Sequence, residues 1–303
     1  MRTLRKPLVV EIMVTILFLG CLSGCTSSQH DKNKEDKSSI NAQADTFLFP
    51  GIEYLLPSPS EVLLTTLTED ITYTQNLTAP LGIEKKSILS QFQALILGVY
   101  ITDLSYHIMF QEHQASTSCF TSIRELSESI GIGSALYYEY FKRVENNSNS
   151  IDSIDVIYRD FSQNTFLTIE STGNKELLSL VALGSGIEAM YLSYASIDFK
   201  TIKNILLSNF TGHRVIFENY YKNFLNYGHN KPELNSFLKD IKNIYSMFGK
   251  NVVKRNNTTV SKVKDSHFDI NDRKENTYDE KAIKMLGDSI VIVRNNLINL
   301  KYQ

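Results

Sequence analysis

From Ser58 onward, apolar residues recur every three or four positions in one segment after another, and few runs alternate with the two-residue period of a strand. That periodicity restricts the chain to an all-α fold. Ser58-Pro59-Ser60-Glu61 opens the series as a capping box with proline at the first helical position, starting a helix that should run to about Tyr73. Further helices are predicted over roughly 86–112, 116–130, 134–146, 151–172, 174–196, 199–227, 232–248 and 278–301, with stops at Gly131-Ile132-Gly133, at Gly228 before Pro232, and at Gly249. The expectation is a multi-helix antiparallel bundle, or a stack of helical hairpins, of about nine helices. With 42% apolar residues in 303, and 16 Phe and 16 Tyr replacing the missing tryptophan, there is enough apolar volume for one large core.

One segment breaks the pattern. Residues 250–276 are polar and basic without apolar periodicity, and a structureless connection of that length is uncommon inside a compact bundle. Disorder is the preferred reading. A small hairpin pairing Val252-Val253 with Val260 to Val263 is the alternative.

The N-terminus has the parts of a secretory leader: Arg2, Arg5 and Lys6, then, past Glu11, an apolar run from Ile12 to Leu22. The run is too short to cross a bilayer, which needs about 20 apolar residues. Leu22-Ser23-Gly24-Cys25 resembles the lipobox of bacterial lipoproteins. That resemblance implies that residues 1–24 are a signal peptide and that Cys25 becomes the acylated first residue. Cys21 is a poorer alternative, because an aromatic residue, Phe18, stands where an aliphatic one is expected. Acyl chains gain about 0.8 kcal/mol per buried CH₂, so two or three of them anchor a protein almost permanently. Residues 25–46 are polar, mixed in charge and nearly free of large apolar side chains, which predicts a disordered tether. Asp31, Glu35 and Asp36 within it loosely resemble the acidic surface-export signal of Bacteroidetes lipoproteins. A single domain should then occupy 47–303, entered through the apolar Phe47-Leu48-Phe49 and the turn at Pro50-Gly51.

The net charge of −2 argues against nucleic acid, which requires a basic face. Of three cysteines, Cys21 and Cys25 belong to the leader and its end, leaving Cys119. A lone cysteine closes no intramolecular disulfide, so the fold must rest on its core, with Cys119 as a small buried side chain.

Three ionisable residues fall on apolar helical stripes. At 100° per residue, Asp103 lies among Phe92, Ile96, Val99, Tyr106 and Phe110. Glu188 lies among Leu177, Val181, Gly184, Tyr191 and Ala195, and His213 among Phe199, Leu206, Phe210, Phe217 and Tyr221. Buried charge is costly unless paired, so Asp103, Glu188 and His213 are either members of internal hydrogen-bond networks with tyrosines and helix ends, or a pocket between helices. Two carboxylates and an imidazole in such a pocket could bind a metal, or act as acid and base on a small substrate. The Glu-x-x-His pairs of di-iron bundles are missing, and His107 and His113, which continue from Asp103 along one helix, cannot close a metal site alone. There is no phosphate-binding loop, dinucleotide glycine motif, His-Glu-x-x-His or Gly-x-Ser-x-Gly, so neither cofactor nor metal is expected.

Gly98 followed by Leu104-Ser105-Tyr106 recurs at the same internal spacing as Gly186 followed by Leu192-Ser193-Tyr194. One match of this size reads as coincidence more readily than as duplication. The tetratricopeptide consensus, which would make the chain a solenoid, is missing. The lipobox, Pro57-Ser58-Pro59-Ser60-Glu61, Leu97-Gly98-Val99-Tyr100 and Asp103-Leu104-Ser105-Tyr106 together resemble helical lipoproteins of Bacteroidetes. The resemblance implies a lipid-anchored envelope protein, at the outer membrane, with a helical body. The expected role is a binding or structural module for another envelope component, more readily than an enzyme or carrier using the Asp103, Glu188 and His213 pocket.

Overall fold

The computed structural model describes residues 56–66, 72–86, 89–147, 149–196, 204–229, 231–250, 259–263, 267–271 and 280–303, all within the unit Glu53–Gln303. The leader, Cys25, the tether and the expected start at Phe47 lie outside the described residues. Nine α-helices account for most of what is described: α1 (Pro59–Thr66), α2 (Ser90–Met109), α3 (His113–Ser129), α4 (Gly133–Asn146), α5 (Ile151–Ser171), α6 (Lys175–Ala195), α7 (Asn204–Tyr227), α8 (Asn235–Lys250) and α9 (Glu280–Ile298). The all-α class expected from the periodicity is the class observed.

The predicted punctuation acts as expected at Ser58 and Gly131, whereas Gly249, expected as a stop, lies inside α8, which runs on to Lys250. Ser58 N–H donates to Glu61 Oε2 at 2.7 Å and Glu61 N–H to Ser58 Oγ at 3.3 Å, closing the capping box on α1. Gly131, at φ +83°, ends α3: its own N–H reaches the Glu128 carbonyl, and the Ile132 N–H reaches that of Ser127.

Two stretches depart from expectation by more than a few residues at a helix end. The first helix was predicted to continue to Tyr73, but Tyr73 lies in an irregular strap, residues 72–86, holding two short 3₁₀ turns, Gln75–Leu77 and Ile83–Lys86. Ala79-Pro80-Leu81-Gly82, with Gly82 at φ +87°, keeps the strap from continuing as helix. In the polar segment, β1 (Thr259–Val263) pairs antiparallel with β2 (His267–Asn271), Val260 opposite Ile270 and Val263 opposite His267. The hairpin alternative thus holds for Val260 to Val263, but its partner is 267–271, whose Phe268 and Ile270 alternate with polar residues. Val252-Val253 lies outside the described residues.

Two helices, α2 and α6, are apolar on nearly every side, which makes them core helices. In α6, every position from Leu177 to Tyr194 is buried; it is long and apolar enough to cross a membrane, yet its whole apolar window is covered by neighbouring helices. The two cross at very close approach. A methyl group at Gly98 would stand on the Val181 carbonyl and the Ser185 amide, and one at Gly184 on the Leu95 carbonyl. Hydroxyls seal the crossing: Ser185 donates to the Gly98 carbonyl at 2.9 Å, and Thr102 donates to the carbonyls of Gly98 and Ser185. The Gly184-Ser185-Gly186 run is therefore a packing device.

The surrounding helices repeat their arrangement about this crossing. α2 packs on α3 and α5, which α4 bridges; α6 packs on α7 and α9, which α8 bridges. α1 lies against both central helices.

Candidate functional site

Glu188 is completely buried in the middle of α6, and Arg294, 3% exposed on α9, reaches it with two parallel hydrogen bonds, Nε to Oε2 and Nη2 to Oε1, both 2.8 Å. Such a bidentate fork is the strongest common geometry for a carboxylate. The guanidinium also stacks over the Tyr191 ring at 4.2 Å. Burial opposes the charge on Arg294, but Glu188 and then Asp103 outweigh it and hold the residue firmly protonated.

Asp103, 1% exposed on α2, joins the same cluster. Its Oδ2 accepts the Ala79 N–H at 2.9 Å, while its Oδ1 meets no donor among the described residues. Burial first, and the neighbouring Glu188 charge second, push its carboxyl well above the usual range; Arg294 and the Ala79 amide pull the other way and do not compensate. Asp103 and Glu188 are therefore brought together as the sequence suggested. The residue sequence reasoning missed is Arg294. Gly287, Ile290 and Leu297 are buried at three- and four-residue intervals around it, so the helical-wheel test that singled out Asp103 would have found it too.

Four polar side chains of α2, Tyr100, Asp103, Tyr106 and His107, serve the strap. Tyr106 Oη accepts the Thr74 N–H at 3.0 Å; Tyr100 Oη donates to the Pro80 carbonyl at 3.0 Å and accepts the Ile83 N–H at 3.3 Å. Tyr73 Oη lies 3.1 Å from His107 Nδ1, and Arg294 Nη2 donates to the Leu77 carbonyl at 3.0 Å. The strap has little regular structure of its own, so its peptide groups find partners in buried side chains instead. Few of its own side chains are buried, Ala79 and Ile83 being the two in the core.

His213 is buried on α7, where burial alone pushes its imidazole down to about 4. The charges acting on Asp103 and Arg294 do not include it, so of the three candidates Asp103 and Glu188 come together, with Arg294 beside them and His213 apart. The histidines on the Asp103 side separate as well. His107 is buried against Tyr73, with its pKa lowered by burial to about 4, and His113 pairs with Asp155 at 2.9 Å. Cys119 is buried and donates to the Tyr100 carbonyl at 3.2 Å, and burial raises its thiol well above the ordinary value, which makes it inert. An open groove lined by Arg143, Asn147, Asp152, Ser153, Val156 and Ile157 lies between α4 and α5, and holds none of these candidates.

No protein family, no curated protein and no solved structure matches the chain.

Proposed function

We propose that the protein is a lipid-anchored envelope lipoprotein whose helical body binds or braces another envelope component. The observation that carries this reading is Leu22-Ser23-Gly24-Cys25 behind a basic and then apolar leader, with a polar tether after it. The interior supports a non-enzymatic body. Glu188 is committed to Arg294, and Asp103 to the strap amide of Ala79, so two of the three groups offered for a pocket are engaged in holding the fold.

Palmitate labelling of the expressed chain tests the anchor: label is expected in the wild type and lost in Cys25→Ala, and label persisting in that variant overturns it. Crosslinking in cells followed by mild detergent extraction tests the binding role. A stoichiometric partner is expected, and recovery of the protein alone counts against it.

A further inference from the structure

The buried cluster holds two carboxyl groups and one guanidinium. Among the described residues, the titratable groups that interact with Asp103 are Tyr73 in the strap, Tyr106 on α2, Cys119 on α3, Glu188 and Tyr191 on α6 and Arg294 on α9; His107, one turn along α2, bonds to Tyr73. Arg294 is the one cation among them. Both Glu188 oxygens are filled by it, and the cation is thereby spent. Asp103, at 1% exposure, would be left with an uncompensated negative charge and an Oδ1 to which no group among the described residues donates. An isolated buried carboxylate is far too costly to persist, and it neutralises by taking up a proton.

We propose that this cluster is a proton-loaded latch: Asp103 carries a proton on Oδ1, donates it to Glu188, and so keeps the strap closed through Leu77 and Ala79 until loss of that proton releases it. Protonation converts the unpartnered acceptor into a donor aimed at the neighbouring carboxylate, which satisfies the remaining atom and leaves the cluster neutral. When hydroxide removes the proton, two carboxylates share one arginine in a dry interior, and their repulsion is relieved most cheaply by admitting water. The strap is the element that gives way. It is held by hydrogen bonds worth about 1 kcal/mol each, with Ala79 and Ile83 its two buried apolar side chains and Tyr73 and Leu77 only partly buried against the core, and segments held this way open at lower free-energy cost than the core helices. The helices beneath it are locked by the glycine crossing.

The latch opens with rising pH. A carboxyl whose pKa is raised on folding favours the closed state while protonated, and that preference is lost as pH rises through the raised value.

Two measurements on the full chain test it. Infrared difference spectra at neutral pH should show the carbonyl band of a protonated carboxylic acid that disappears in Asp103→Asn and on alkaline titration of the wild type. Hydrogen exchange of peptides covering 72–86, corrected for the intrinsic base-catalysed rate, should lose about tenfold protection or more over the same alkaline titration that removes the infrared band, with α2 unchanged. Asp103→Asn, whose amide keeps the Ala79 acceptor and a permanent donor toward Glu188, should hold the strap closed throughout. A wild-type spectrum without the protonated band overturns the proposal even if the variant fails to fold. Equal alkaline loss of strap protection in wild type and Asp103→Asn overturns it as well.

Discussion

Replacing Arg294 with methionine is the most direct test of what the buried cluster contributes. Methionine keeps most of the volume over Tyr191 but removes both bonds to Glu188 and the one to the Leu77 carbonyl. Glu188 is fully buried, so the variant leaves a carboxylate without a counter-ion, beside a second carboxyl. Breaking one side of a buried pair costs about 3–5 kcal/mol, and leaving a carbonyl unsatisfied adds about 1 kcal/mol or more. The expected loss is therefore about 4–6 kcal/mol, a fall in Tm of about 8–24 °C for a domain of this size. Urea titration with unchanged m-value measures it. Glu188→Gln with Arg294→Met should recover about half, since no charge is then stranded, and the cycle should give a coupling of about 2 kcal/mol. A loss under about 1 kcal/mol, the range of exposed pairs, or strict additivity in the double variant, would refute a tightly buried ion pair.

Three further outcomes follow from the core. His107 and His213 are both pushed down by burial to about 4, so the unfolded chain binds protons below its own value near 6.5 while the folded chain does not. Each should remove about 3 kcal/mol of stability as pH falls from about 6.5 to 4, and the difference between wild type and His107→Gln/His213→Gln in acid titrations reads this slope free of Asp103. Gly98→Ala and Gly184→Ala should each cost about 3 kcal/mol or more, because the added methyl meets backbone that cannot rotate away, whereas Gly131→Ala, with open space around it, should cost about 1 kcal/mol from its positive φ alone; equal denaturation midpoints for the two classes would contradict the close crossing. Ser58→Ala should cost about 1 kcal/mol, and adding Glu61→Ala should cost little more, since the capping box is lost as a unit.

Helix after helix was legible because each boundary carries its own chemistry, as Ser58 with Glu61, Gly131 and Gly228 show. The strap was not, because Tyr73 and Leu77 continue an apolar spacing that suits a helix, and what holds them otherwise is the row of side chains at Tyr100, Asp103 and Tyr106, far along the chain. Asp103 and Glu188 point inward for a reason less specific than a helical stripe. On α2 nearly every position from Phe92 to Ile108 is buried, so any polar residue there would have been aimed inward. Periodicity tells which residues leave solvent, not which neighbour they meet, and for that reason His213 was grouped with two acids on other helices. The partner of Glu188 could be proposed only by asking which cation lies on an apolar stripe, and Arg294 satisfies that condition.

The repeated fragment also means more than its length suggested. Aligning Gly98 with Gly186 sets Tyr100 against Glu188, Asp103 against Tyr191 and Tyr106 against Tyr194, so both central helices carry polar or aromatic hydroxyl groups every three residues along an otherwise apolar surface. The packing around them repeats as well, α3 to α5 about the first and α7 to α9 about the second. Their clients differ. On α6, Glu188 takes Arg294, while Tyr194 donates to Asp288 at 2.8 Å and to the Lys284 carbonyl at 3.3 Å, so the row fastens α9, whose Gly287 leaves room for the Tyr194 ring. On α2 the equivalent row fastens the strap, a segment without helical hydrogen bonds to spare. One arrangement of side chains thus docks a helix in one half and an irregular segment in the other, and Asp103 is the residue at which the two rows touch. A change of protonation there acts on the half that has fewer apolar contacts to resist it, which is why the strap, and not α9, is the element expected to move.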